Sequence, residues 1–249
     1  MLVYSFPSGS KAVYDFKIGM EGYIPLLGKT DNRVEVQAVI EVRGAGAGTD
    51  GNLGVTSEFL EFQASLGGVP LPFRVNDVKT YFPKTTLSVT PHGKVVKSDA
   101  PLLEMPIRLP GLDSRRIPDV TFLPIEFPVE GVEVGKTWSF KRKFGDPDIE
   151  YAATTSSITD DLVKFEVKIV QKLSFLEDSG GYETKDEKAA ATRVETTLAG
   201  SGKVEFDRKR GLSKLFTAET EAVSQVTEIK SGKTSERKVR SRLKVELRP

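Results

Sequence analysis

Histidine and cysteine, which often carry acid–base and nucleophilic chemistry near neutral pH, are almost absent from this chain. There is one histidine, His92, and no cysteine. Thiolate nucleophiles, disulfides and metal sites built from cysteines or from several histidines are therefore excluded. His92 lies in Thr90-Pro91-His92-Gly93, a sequence typical of a turn. We predict no catalytic residue, no metal site and no cofactor. An enzyme built on this chain would have to use paired carboxylates, as glycosidases do, or a desolvated lysine.

A glycine-rich stretch raises the question of phosphate binding. Gly46-Ala47-Gly48-Thr49-Asp50-Gly51 matches the pattern GxGxxG and follows a predicted strand. A dinucleotide site also needs a helix directly after the loop, because the helix N-terminus receives the pyrophosphate. The residues from Asn52 onward are typical of a strand instead. We interpret residues 44–54 as a flexible hairpin loop.

Four basic residues near the C-terminus share one face of a predicted strand: Lys238, Arg240, Arg242 and Lys244. Such a stripe could meet phosphate groups of a nucleic acid or of lipid headgroups. No aromatic residues alternate with these cations to stack on bases, and Glu219 and Glu221 are placed to neutralise half of them. Lys plus Arg number 36 against 35 Asp plus Glu, so the net charge of +1 creates no long-range field. We predict no nucleic-acid partner.

The elements that position these side chains are predicted to be strands. Polar and apolar residues alternate with period two over most of the chain, and no segment has a convincing period of 3.6. The clearest alternations cover residues 12–20, 33–42, 55–66, 149–158, 163–169, 191–199 and 212–247, with weaker strands at 78–81 and 85–89. We predict a mostly antiparallel all-β fold, either a large curved sheet or an open half-barrel. The aromatic pattern Tyr14-Asp15-Phe16-Lys17 returns as Trp138-Ser139-Phe140-Lys141, which indicates either a duplication into two similar halves or only the likeness of meandering strands.

The last two strands allow a register to be predicted. Lys230-Ser231-Gly232-Lys233 separates two long alternations, which is a hairpin signal. With Ser231 and Gly232 as a two-residue loop, Glu219 lies opposite Lys244 and Phe216 lies opposite Leu247. Apolar residues then share one face and charged residues the other, and a slip by one residue would exchange the faces.

The domain organisation follows from a proline-rich region. Six prolines interrupt residues 100–132, and proline cannot donate the hydrogen bond that a central strand requires. The region is too apolar to be a solvated linker. We predict an N-terminal β half at 1–99, a proline-rich connector packed on the body at 100–134, and a C-terminal β half at 135–249, the alternative being one continuous domain.

The start of the chain bears on its compartment. Residues 1–7 have neither a basic nor an apolar signal region, and no run approaches the roughly 18 apolar residues of a membrane span. We expect no transmembrane segment. The prediction is a periplasmic or secreted protein whose signal was removed and replaced by an initiator methionine, and the alternative is a cytoplasmic one.

One stretch carries a family resemblance: Phe127-Pro128-Val129-Glu130-Gly131-Val132-Glu133-Val134-Gly135-Lys136-Thr137-Trp138-Ser139-Phe140. Together with the turn from Phe206-Asp207 to Gly211 and the two-half layout, it resembles uncharacterised bacterial envelope proteins with strands like the curved half-barrel of LolA- and LppX-type lipoprotein carriers. The resemblance implies an open sheet whose concave face holds an acyl chain. The chain departs from those carriers in lacking a lipidation cysteine, a visible signal and clear covering helices.

We therefore predict a non-catalytic binding protein of the bacterial cell envelope that holds a lipid or another apolar ligand on a concave sheet face. The alternatives are a structural or protein–protein interaction module with a filled core and, third, a carboxylate-based glycan-active enzyme. The candidate ligand-binding residues are Tyr14, Phe16, Ile40, Phe62, Val163, Phe165, Val167, Phe216, Leu243 and Val245.

Overall fold

Antiparallel strands form one continuous sheet in the computed structural model, which describes residues 1–24, 32–100, 122–142 and 148–249. Thirteen strands and one helix lie within these ranges. The strands of the N-terminal part are β1 (Lys11–Gly22), β2 (Asn32–Ala47), β3 (Leu53–Leu66), β4 (Val69–Pro70), β5 (Thr85–Val89) and β6 (Val95–Ser98), with helix α1 (Val75–Tyr81) between β4 and β5. The C-terminal part contains β7 (Thr137–Arg142), β8 (Ile149–Ile158), β9 (Leu162–Asp178), β10 (Glu183–Thr184), β11 (Ala190–Asp207), β12 (Leu212–Glu228) and β13 (Thr234–Leu247).

The strand order explains how the two parts meet. From edge to edge it is β6-β5-β3-β2-β1-β13-β12-β11-β9-β8-β7, with β4 paired to β3 and β10 paired to β9. The first long strand, β1, pairs with the last, β13, so the sheet runs without a break from one part into the other. β6 and β7 remain at opposite edges, and the sheet is open. The prediction of a large antiparallel open sheet is confirmed, whereas the division into domains and the duplication stay predictions.

Two glycines of β11 lie where the backbone of β12 comes too close for a side chain. A Cβ atom at Gly200 would lie 2.3 Å from the carbonyl oxygen of Glu219, and one at Gly202 would lie 2.5 Å from that of Thr217. Both oxygens belong to β12. A side chain at either position would collide with these oxygens. Glycine at both positions therefore allows the close approach of β11 and β12.

The hairpin of β12 and β13 corrects the predicted register. Glu219 lies opposite Arg242, and Phe216 lies opposite Val245, two residues away from the predicted partners. The cause is a longer turn, in which the Gly232 amide donates to the Glu228 carbonyl oxygen at 2.8 Å and Gly232 has a φ of +69°. A shift by two preserves the faces, because side chains alternate with period two.

Two local predictions are wrong. Residues 78–81, expected as a strand, belong to helix α1, in which the Asp77 carboxylate accepts a hydrogen bond from the Arg74 amide at 2.8 Å. Seven residues make two turns, too few for a helical period to stand out. The expected loop at 44–54 is shorter, because β2 continues to Ala47 and β3 begins at Leu53.

The predicted connector is described only in part, because residues 101–121 lie outside the described ranges. Residues 122–127, here called the bridging segment, pack against the sheet with Phe122, Leu123, Ile125 and Phe127 buried. Within the described ranges, no helix is both long and apolar enough to cross a membrane.

Candidate ligand-binding face

One side of the sheet, here called the inner face, carries the predicted residues. The cross-strand register places Phe165, Val204, Phe216, Val245, Phe16, Ala38 and Phe62 in one row across β9, β11, β12, β13, β1, β2 and β3. Tyr14 and Ile40 are paired with each other two positions further along β1 and β2. All ten candidate residues therefore lie on the same face. Eight of them are buried, and Phe62 and Leu243 are half-buried.

The chain itself covers part of this face. Residues 1–10, here called the N-terminal segment, contribute the buried side chains of Leu2, Tyr4 and Phe6. The ring of Tyr4 stacks on Phe127 of the bridging segment with centroids 5.2 Å apart, and it meets Phe206 of β11 edge-to-face at 5.2 Å. The inner face around Tyr14 and Phe165 is thus a filled hydrophobic core.

The bridging segment joins the two edges of the sheet. The Phe127 amide donates to the carbonyl oxygen of His92, in the turn between β5 and β6, at 2.8 Å. Trp138 of β7 donates from Nε1 to the carbonyl oxygen of Glu126, also at 2.8 Å. Because β5–β6 and β7 belong to opposite edges, these bonds hold the curved sheet together at this end.

A polar bridge crosses the inner face at the opposite end. Arg237 of β13 donates from Nη1 to Oε2 of Glu177 on β9 at 2.8 Å, and the Thr192 hydroxyl donates to the same oxygen at 3.3 Å. The guanidinium carbon lies 4.3 Å from the ring centroid of Tyr23. Only 5% of the Glu177 side chain is exposed, so the carboxylate depends on these partners.

The polar bridge reports the curvature of the sheet. Glu177 pairs with Thr192, Thr192 pairs with Glu228, and Arg237 lies opposite Ser224. In a flat sheet the two Cα atoms would be about 20 Å apart, from three strand spacings of about 4.8 Å and four residue rises of about 3.3 Å. Glutamate and arginine side chains cannot close that gap. The inner faces of β9 and β13 therefore turn towards each other.

Between the filled core and the polar bridge lies a less covered apolar patch. Val34, Val36, Phe62, Val239 and Leu243 are only partly buried and pack against the core. They come from β2, β3 and β13. A patch of this kind is the part of the inner face on which an apolar ligand could lie without displacing the N-terminal segment.

Sequence reasoning missed the polar members of the inner face. Thr196 and Ser224 hydroxyls lie 2.7 Å apart, and those of Thr220 and Ser241 lie 2.6 Å apart. These pairs satisfy each other across neighbouring strands, so they sit on the apolar side at little cost. The signal in the sequence was that these four residues occupy the same alternate positions as the apolar residues of their strands. Polar residues in an alternation are, however, normally assigned to the solvent side.

A buried charge lies near the β7 edge. Arg142, only 7% exposed, donates from Nε to Oε1 of Glu126 at 3.3 Å. Its guanidinium carbon is 5.3 Å from the ring centroid of Phe140 and 5.8 Å from that of Tyr151. Burial raises the pKa of Glu126 above its ordinary value, although the charge of Arg142 acts in the opposite direction.

The opposite side of the sheet, the outer face, is polar. Two depressions of about 310 and 660 Å³ lie on it, the first lined by residues such as Lys17, Gln37 and Glu61 and the second by residues such as Lys168 and Lys203. Neither is an apolar cavity within the curve of the sheet.

Ion pairs neutralise the basic stripe of β13. Arg240 lies 2.6 Å from Glu221 and Arg242 lies 3.5 Å from Glu219, as opposite charges on neighbouring strands. The other two cations pair within their own strand, Lys238 with Glu236 and Lys244 with Glu246. The stripe is thus paired throughout. In the part of the chain that the structure describes, no group of three or more metal-ligating side chains is found.

Comparison with known proteins gives a similarity of fold. No family model matches the sequence, and no curated protein matches it. Among solved structures, the chain resembles lipovitellin, from a study described as lipid–protein interactions in lipovitellin, with 13% identity and a TM-score of 0.52. The likeness is one of fold. It covers 98% of this chain and 26% of the lipovitellin chain, so this chain spans about a quarter of that protein.

Proposed function

We propose that this protein is a non-catalytic binding protein that holds a lipid or another apolar ligand against the inner face of its sheet. The observation that carries the proposal is the partly buried patch formed by Val34, Val36, Phe62, Val239 and Leu243, next to a filled core. Binding would bury apolar ligand surface at about 25 cal/mol per Å², and no bond would be made or broken.

The fold comparison supports the same proposal. Lipovitellin, which has a similar fold, is described in terms of its lipid–protein interactions. We further propose a carrier-like role in the bacterial envelope, in the periplasm or outside the cell, as the resemblance to LolA- and LppX-type proteins implies. This finer proposal rests on the residues from Phe127 to Phe140 and on the open sheet.

A second function is favoured by a different observation. Eight of the ten candidate residues are buried, and the N-terminal and bridging segments cover the face around Tyr14 and Phe165. A core filled in this way is what a structural or protein-interaction module requires. The two functions differ in whether the apolar patch accepts a ligand.

Native mass spectrometry of the protein purified from a bacterial host, followed by organic extraction and lipid analysis, tests the proposal. An acyl species bound at near one-to-one stoichiometry is the expected result. A bare protein that also fails to enhance the fluorescence of a fatty-acid probe would favour the interaction module instead.

A matched pair of variants locates the ligand. Leu243→Asn changes a half-buried inner residue, and Lys244→Gln changes its exposed outer neighbour on the same strand. Loss of about 60 Å² of apolar contact corresponds to about 1.5 kcal/mol, so Leu243→Asn should weaken probe binding roughly tenfold. Lys244→Gln should leave it unchanged. Equal effects of the two variants would place the probe elsewhere.

A further inference from the structure

The Arg142 side chain has a binding capacity that the fold does not use. It extends from the last residue of β7 among buried groups, and its Nε is engaged by Glu126 at 3.3 Å. Its Nη2 is buried and has no hydrogen-bond partner among the residues that the structure describes. A guanidinium has five donors, and a buried donor without an acceptor is unfavourable. An acceptor from outside the protein would remove that penalty.

The surroundings of Arg142 orient this free donor. The rings of Phe140 and Tyr151 stack at 5.0 Å with an interplanar angle of 3°, and the guanidinium packs against both. Aromatic contacts of this kind satisfy the cation without using its N–H groups. They therefore hold the guanidinium in place while leaving hydrogen-bonding capacity for an oxyanion.

Arg142 is also connected to the apolar face. Trp138, Phe140 and Arg142 alternate along the same side of β7, and Trp138 meets Phe165 edge-to-face at 5.7 Å. Phe165 itself lies in the filled core. Further along β7, Arg142 pairs with Ile149, and the cross-strand register continues at that level of the sheet to Val239 of the apolar patch. A charged group thus stands at the β7 edge, level with the patch, which is the arrangement that an amphipathic ligand requires.

We propose that Arg142 binds the acidic head of an amphipathic ligand whose apolar part lies on the inner face, through charge-assisted hydrogen bonds to carboxylate or phosphate oxygens. This inference rests on the proposed function. Glu126 holds Arg142 in the absence of ligand and competes with the incoming oxyanion. Burial disfavours the charged form of Glu126, which makes it a weak competitor.

The proposal is tested by the binding of three compounds that share one alkyl chain and differ in the head group: dodecanoic acid, dodecyl phosphate and dodecanol. Calorimetry at neutral pH should show that the intact protein binds at least one of the two acids ten times or more tightly than the alcohol. A preference for the carboxylate indicates a fatty-acid head, and a preference for the phosphate indicates a phospholipid-like head.

Three variants assign the preference to Arg142. Arg142→Gln should remove the preference for the acid over the alcohol. Its affinity for dodecanol should stay within about twofold of the intact protein, because the apolar contacts remain. Glu126→Gln should increase affinity for the acid several-fold, because the competing carboxylate is gone. Arg240→Gln, at an exposed arginine of the outer face, is the control and should retain the preference.

The outcomes separate the two proposals. If no compound binds, the proposed function fails and the anchor fails with it. If all three bind equally, or if Arg142→Gln retains the preference, only the anchor is refuted. Should Arg142→Gln not fold by circular dichroism, Glu126→Gln decides the matter, because an Arg142 with a purely structural role predicts no gain in acid affinity.

Discussion

The Tyr4 hydroxyl should contribute measurably to stability, because it fixes the N-terminal segment to the bridging segment. It donates to the Ile125 carbonyl oxygen at 3.0 Å and accepts from the Ile125 amide at 3.4 Å. Tyr4 is 2% exposed and Ile125 is fully buried. Tyr4→Phe would keep the aromatic packing while leaving a buried carbonyl without its donor.

The expected magnitude follows from that loss. Leaving one buried acceptor unsatisfied costs about 1–3 kcal/mol. For a chain of 249 residues, each kcal/mol corresponds to about 2–4 °C in Tm, so a loss of about 2 kcal/mol lowers Tm by about 4–8 °C. Burial raises the pKa of Tyr4 well above its ordinary value, so the phenol stays neutral and the effect should be the same at pH 6 and pH 9.

Urea unfolding followed by fluorescence, with calorimetry for Tm, measures the difference. Tyr182→Phe is the matched control, because Tyr182 is 41% exposed and its substitution should change stability by less than about 0.5 kcal/mol. If Tyr4→Phe is no more destabilising than Tyr182→Phe, the bridging segment is not held by this bond and the account of the filled core is wrong.

Three further perturbations test the fold. Gly93→Ala should destabilise the protein by at least about 1 kcal/mol in urea unfolding. The reason is that Gly93 has a φ of +94° and that a Cβ there would lie 2.5 Å from the ring of Tyr4. Wild-type stability of this variant would contradict the prediction. Leu243→Asp should cost several kcal/mol and Lys244→Ala less than about 1 kcal/mol, and equal losses would refute the assignment of faces. The hydrogen bond from Arg248 lowers the pKa of Asp15. The pair therefore stabilises the protein at pH values above the ordinary aspartate pKa of about 4, and this stabilisation is lost as the pH falls through the lowered pKa. Asp15→Asn should make unfolding less dependent on pH between 5 and 3, and an unchanged pH profile would show that the pair with Arg248 contributes nothing.

Strand formation and face assignment could be predicted because they depend on local alternation. In β13, Leu243, Val245 and Leu247 alternate with charged residues, and all three lie on the inner face as predicted. The register of the hairpin could not be predicted with the same accuracy. It depends on the turn geometry around Gly232, and a two-residue loop and the longer turn found here place the same residues on the same faces.

The candidate site was predicted only in its apolar part. Tyr14 and Phe16 reveal themselves by period two, whereas Glu177 and Arg237 lie 60 positions apart and carry no local sign of their contact. The burial of Arg142 was equally hidden, because a charged residue at the end of an edge strand is normally expected in solvent.

The sequence by itself determined that this protein is an antiparallel sheet with one apolar face, because alternation along a strand needs no distant partner. It also excluded thiol chemistry and sites with several histidines by composition alone. Only the tertiary structure decided what covers that face. The positions of the N-terminal and bridging segments, and the curl that brings β9 towards β13, depend on contacts between residues far apart in the chain, which no local pattern records.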